Sequence, residues 1–215
     1  MIVNYAYPTR AIALFGSLIW VFGLLGGCAL PDKPTRALTY DFGPGALSLA
    51  PGARTASLPP LVVSEVEASA ALDSTAVLYR LAYADVQALR PYAQARWSMP
   101  PAQLLRQRLR EQLGQGRVVL SSAEGSLPGA NPWQLRVELE EFSQLFEAPY
   151  TSAGLVRLRA TVVQTTPLGE KLVGQRLVIV QRAAPSADAP GGVRALAAAS
   201  DAAVLELEQW LRDLR

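Results

Sequence analysis

The chain has 215 residues, 50% of them hydrophobic, with 20 basic and 18 acidic side chains, one cysteine and no histidine. That length supports one ordinary domain with its own core, and the near-neutral balance argues against nucleic acid and against a strongly basic membrane-surface mode. Without histidine there is no Ser-His-Asp or Cys-His nucleophile and no imidazole metal ligation, and neither Lys33 nor Lys171 sits in a Ser-x-x-Lys or phosphate-loop motif.

Arg10 is the only charge before position 32, and it is followed by uncharged, mostly apolar residues from 11 to 30. A basic start, an apolar stretch and a small-residue pair ahead of a cysteine form an export signal. Leu25-Gly26-Gly27-Cys28 resembles the lipobox of bacterial lipoproteins. The resemblance implies that residues 1–27 are removed as a signal peptide and that Cys28 becomes the lipidated first residue. Buried acyl methylenes contribute about 0.8 kcal/mol each, so several chains make an effectively permanent anchor. The alternative is an uncleaved membrane helix over residues 11–30, a length that spans a bilayer, although Gly16, Gly23, Gly26 and Gly27 suit a helix poorly. Both readings put the remainder outside the cytoplasm. Ala29 rather than Asp follows the cysteine, which for lipoproteins implies delivery to the outer membrane. With Cys28 lipidated no thiol is left for a disulfide, so the fold rests on packing alone.

Residues 28–37, with Pro31 and Pro34, form a tether; the stretch 29–36 spans about 25 Å when extended at ~3.3 Å per residue. A single periplasmic domain occupies 38–215. Residues 38–42 (LTYDF) predict a first strand, 43–60 a Pro/Gly-rich loop, and 61–66 a β-branched strand. Residues 76–83 (AVLYRLAY) alternate as another strand, and 91–101 predict a structured loop carrying Tyr92, Trp97 and Met99. Pro100-Pro101 opens a helix in which Leu105, Leu109 and Leu113 stack at i, i+4, i+8. Gly114 and Gly116 end it, and 117–121 is a short strand. A turn over 125–132 leads to three long strands, 133–145, 155–165 and 171–182, joined as an antiparallel meander. The first should bulge at Glu140-Glu141, where its alternation breaks. The third, apolar on both faces at Leu177-Val178-Ile179-Val180, should be central. From Val193 onward apolar residues recur at helical spacing to Leu214.

This order predicts an α+β fold, a mostly antiparallel sheet with two helices packed on one face. Catalysis would have to use carboxylates, densest at Glu138, Glu140, Glu141 and Glu147. Glu138 and Glu140 alternate with Leu135, Val137 and Leu139, the pattern of a wet strand face. A glycosidase-type pair would need an opposing carboxylate that the sequence does not supply.

Tyr40-Asp41-Phe42-Gly43-Pro44-Gly45, then Leu72-Asp73-Ser74 running into Val77-Leu78-Tyr79-Arg80, then Arg96-Trp97 just before the helix, occur in that order behind the lipobox. Together they resemble the ABC-type transport auxiliary lipoproteins over essentially the whole mature chain. The departure is Asp41-Phe42, where the family pattern has threonine or serine and leucine. The resemblance implies no enzyme and no cofactor beyond the lipid on Cys28. It implies an outer-membrane subunit of an envelope lipid-transport system. The partners implied are an ABC transporter and a periplasm-crossing protein of the mammalian-cell-entry type, with lipid as the cargo handled; self-association is left open. Tyr79, Arg80, Arg96 and Trp97 are the candidate partner face, because Tyr, Trp and Arg are favoured interface anchors. Against this stands a packing role, with Trp97 plugging the sheet–helix junction and Arg80 paired with a surface carboxylate. A scaffold for another outer-membrane complex is the alternative function.

Overall fold

In the computed structural model, which describes residues 36–45, 58–124 and 131–214, the chain from Arg36 forms one eight-stranded sheet with two helices. The signal segment 1–27, Cys28, the tether up to Thr35, the loop residues 46–57 and the turn residues 125–130 lie outside the described residues. Among the described residues no helix is long and apolar enough to cross a membrane. The elements are β1 (Leu38–Tyr40), β2 (Leu58–Ala68), β3 (Ala76–Leu81), β4 (Asp85–Trp97), α1 (Pro101–Leu113), β5 (Arg117–Leu120), β6 (Trp133–Ala148), β7 (Thr151–Thr166), β8 (Gly169–Ala183) and α2 (Ala189–Asp213).

β6 organises the sheet. One of its edges is taken along its whole length by antiparallel β7, from Trp133↔Gln164 to Ala148↔Thr151. The other edge is shared. β2 lies parallel to its first half, from Leu61↔Trp133 to Ala68↔Leu139, and β3 parallel to its second half, from Tyr79↔Gln144 to Leu81↔Phe146. Between the two halves the register slips at Leu139/Glu141, where the broken alternation predicts a bulge. β5 extends the sheet from β2, while β4 and then β1 extend it from β3.

Three expectations are corrected. The sheet is mixed rather than mostly antiparallel, because four of its seven strand pairings, β1–β4, β2–β5, β2–β6 and β3–β6, are parallel. The cause is the crossover: the chain reaches β6 only after passing through β4, α1 and β5, and such long connections join parallel strands. The stretch read as a loop at 91–101 is largely β4, whose mostly exposed pattern and internal Pro91 hide a strand. Among the described residues β8 is an edge strand that pairs with β7 alone, and Leu177 and Ile179 face outward at 45% and 55% exposure instead of lying centrally.

α1 begins at Pro101, where a missing N–H costs nothing. It buries Leu104, Leu105, Leu109 and Leu113 against β2 and β5. Each such leucine contributes about 1.5–3 kcal/mol. α2 starts from Asp188, whose Oδ1 accepts the Gly191 N–H at 2.7 Å, a side-chain cap for an otherwise orphaned donor. It lays Leu196, Ala199, Ala203, Leu207 and Leu211 on β6, β7 and β8. The helices run side by side over the sheet. Arg108 Nε lies 3.1 Å from Asp201, and Gln112 donates to Glu208 at 2.9 Å.

Candidate functional site

Successive strand residues point to opposite faces, so Tyr79 and Arg80 on β3 go separate ways. The Tyr79 ring packs 4.6 Å from Tyr92 and 6.0 Å from Phe146. The Tyr92 hydroxyl donates to Gln144 Oε1 at 2.8 Å, and Gln144, fully buried, donates to Ser152 Oγ at 2.8 Å. This line of polar groups crosses from β4 to β6 to β7 with its hydrogen bonds made, as buried polar groups require. Burial, with smaller contributions from Tyr79 and Asp188, pushes the Tyr92 phenol well above its ordinary value and keeps it a neutral donor.

On the opposite face Arg80 forks onto Glu141, Nε to Oε1 at 3.3 Å and Nη2 to Oε2 at 3.0 Å. Its Nη1 donates to the carbonyls of Val86 and Gln87 at 3.1 and 3.2 Å. One guanidinium thus ties β3, the start of β4 and the bulge of β6. Arg96 turns back on its own strand and donates to the carbonyls of Tyr92 and Ala95. Trp97 is 2% exposed. Its ring sits 5.6 Å edge-on from Phe42 and 5.6 Å from Phe142, which stack on each other at 5.9 Å.

The four residues expected at the partner face therefore do not form one surface. Trp97 fills the core, which corrects its assignment as an exposed anchor and matches the packing role held beside it. Arg80 is occupied by Glu141, and Tyr79 and Arg96 are half-buried. The sequence places Tyr92 only in a loop and Glu141 only among the carboxylates, and it does not single out Gln144 or Ser152. One signal was available: Ser143-Gln144 interrupts an apolar run between Phe142 and Phe146, and a polar pair at buried positions implies a hydrogen-bonded network.

Two of the four clustered carboxylates are held by arginines. Glu140 lies between Arg157 and Arg159 at 3.1 and 2.7 Å, Glu141 is held by Arg80, and Glu138 is exposed on the wet face. No cluster of three or more acidic or cysteine side chains able to hold a metal occurs among the described residues.

Residues 40–207 match the model of a family described as the ABC-type transport auxiliary lipoprotein component. No curated protein is matched by the chain. A crystal structure of a protein from Xanthomonas campestris, assigned to the DUF330 family, is 16% identical. It superposes with a TM-score of 0.60, covering 84% of this chain and 88% of that one. A second crystal structure, of an uncharacterized protein, is 15% identical with a TM-score of 0.59, covering 82% of this chain and 99% of that one. At such identities the likeness is one of fold.

Proposed function

The chain belongs to the family of ABC-type transport auxiliary lipoprotein components, and from that membership we propose a non-catalytic subunit of an envelope lipid-transport system. In this reading it is anchored to the outer membrane by lipid on Cys28. It docks a periplasm-crossing partner of the mammalian-cell-entry type that works with an ABC transporter. The family match over 168 residues, 40–207, carries the reading. Support comes from the Leu25-Gly26-Gly27-Cys28 sequence ahead of the domain, from a family that is not one of enzymes, and from Glu140 and Glu141 being engaged by arginines.

Docking is assigned to the end of the sheet that Tyr79 and Arg80 support. There the β3–β4 turn presents Tyr83 at 49% exposure and the start of β4 presents Val86 at 48%, while the β6–β7 turn presents Tyr150 at 91%. The two turns are neighbours because Leu81 pairs with Phe146 and Ala148 with Thr151. Exposed tyrosines of this kind are typical interface anchors.

The test is a pulldown of the full-length protein from solubilised membranes, with mass spectrometry of the captured proteins and of the anchor peptide. A diacylated Cys28 and a co-purifying transport protein are expected, with capture reduced by Tyr83→Ala and Tyr150→Ala. Cys28→Ser should leave the protein unlipidated and abolish its fractionation as a processed lipoprotein. Capture of outer-membrane assembly factors alone, or an unprocessed N-terminus, overturns the reading.

A further inference from the structure

A cavity of about 410 Å³ lies where β2, β5 and β6 begin and α2 ends. Its apolar walls include Leu58, Trp133, Leu211 and Leu214, and its charged groups are Arg117 and Arg212. No acidic side chain lines it among the described residues. The volume falls within the ~300–1,000 Å³ range of small-molecule sites, which are likewise mostly apolar with a few polar groups.

Arg117 is the unusual member. It is 6% exposed, and its Nε is buried with no hydrogen-bond partner. The carboxylate that acts on it, Glu208, is already shared by Gln112 Nε2 at 2.9 Å and by Arg212. Burial pulls the Arg117 guanidinium below its ordinary value; Glu208 opposes that and Arg212 adds to it. A buried guanidinium short of partners is costly to keep, and because Arg117 lines the cavity, an anion held there would offset that cost. Arginine suits this role because its planar fork receives carboxylate or phosphate through two parallel N–H···O bonds.

We propose that this cavity binds a single-chain anionic amphiphile, its carboxylate or phosphate head held by Arg117 and Arg212 and its acyl chain laid against Leu58, Trp133, Leu211 and Leu214. The two cations account for the head, and the apolar walls account for the chain; a free inorganic anion would use only the first. The inference deepens the transport reading by giving the domain a lipid-class ligand, yet its test is separate. Loss of partner capture would leave this site standing, and loss of binding here would leave docking standing.

The experiment places the full-length, membrane-processed protein in phosphatidylcholine nanodiscs and titrates it with 9,10-dibromostearate, whose bromines quench a tryptophan on contact. Protein-free nanodiscs correct for partitioning. Saturable quenching is expected, carried by Trp133 and therefore much reduced in Trp133→Phe. Arg117→Met should weaken binding about tenfold or more, the loss that a charge-assisted hydrogen bond implies. Should that variant fail to fold, Arg212→Gln at the more exposed guanidinium should still weaken it severalfold. Inorganic phosphate should not displace the probe. Absence of saturable quenching overturns the proposal, as does binding unchanged in both arginine variants. Phosphate binding with dibromostearate excluded marks a bare anion site and overturns it as well.

Discussion

At the residue scale the Arg80–Glu141 fork is the interaction whose worth is easiest to misjudge. Both side chains are mostly withdrawn from water, at 19% and 11% exposure. A pair of this kind adds little over a well-packed apolar pair, but removing one member strands the other. Arg80→Met should therefore cost about 2–4 kcal/mol and also release the carbonyls of Val86 and Gln87. The double variant Arg80→Met/Glu141→Leu should cost less than the two single changes added together. A coupling on the order of 1–2 kcal/mol is expected from a urea-denaturation cycle. Additivity within experimental error would show that the fork behaves as a solvent-exposed pair. Part of this arrangement is legible in the sequence: Tyr79-Arg80 stands out in its strand, and the broken alternation at Glu140-Glu141 announces the bulge. That the two meet across 61 residues is not, because pairing between distant strands leaves no local trace. Trp97 shows the same limit, since an aromatic beside an arginine reads equally well as an anchor or as core until its neighbours Phe42 and Phe142 are known.

At the element scale the seat of α2 on the sheet depends on a strand glycine. A Cβ added at Gly154 of β7 would stand 2.5 Å from the backbone carbon of Ala195 and 2.5 Å from the nitrogen of Leu196. Neither atom belongs to a side chain that could move aside, so the whole helix would have to lift. Gly154→Ala should destabilise the domain by about 2–3 kcal/mol, the upper range of overpacking, read as a fall in the denaturation midpoint at unchanged m-value. Gly169→Ala, with open space around its Cβ, would test only the strain of φ +119°. A cost at Gly154 no larger than that at Gly169 would contradict the close approach. Both helices are legible because a 3.6-residue apolar period is a local property, and Pro101 marks the start of the first; the second is legible only from Val193, inside its observed start at Ala189. β4 is not, because it is wet on much of both faces and carries Pro91, so neither alternation nor composition distinguishes it from a loop. The apolar run in β8 misleads for the opposite reason. Leu177 and Ile179 look buried by type, but it is Val178 and Val180 that are buried on the face turned to α2.

At the scale of the whole molecule, strand order follows from which segment arrives at β6 and from which side, and no window of sequence contains that. The α+β class, the β6–β7–β8 meander and the family pattern can be read in advance; the split edge of β6 cannot. That edge has a consequence for how the domain opens. β6 touches β2, β3 and β7 and lies beneath α2, so its hydrogen bonds break only when several elements separate together. Among the described residues β8 is bonded on one side only, and the short β1 is held by three registered pairs to the end of β4. Local opening should therefore be cheap at these margins, as at the terminal β5, and as costly as global unfolding in the middle. Native-state hydrogen exchange should find the amides of Leu135, Val137 and Leu139 among the slowest, exchanging with the free energy measured by denaturation. The amides of β8 that point away from β7 should exchange orders of magnitude faster. The contrast follows from the sheet path, since β8 is nearly as apolar in composition as β6, with 7 of 15 residues against 8 of 16. Slow exchange along both sides of β8, equal to that of β6, would mean that another chain or segment completes the sheet there.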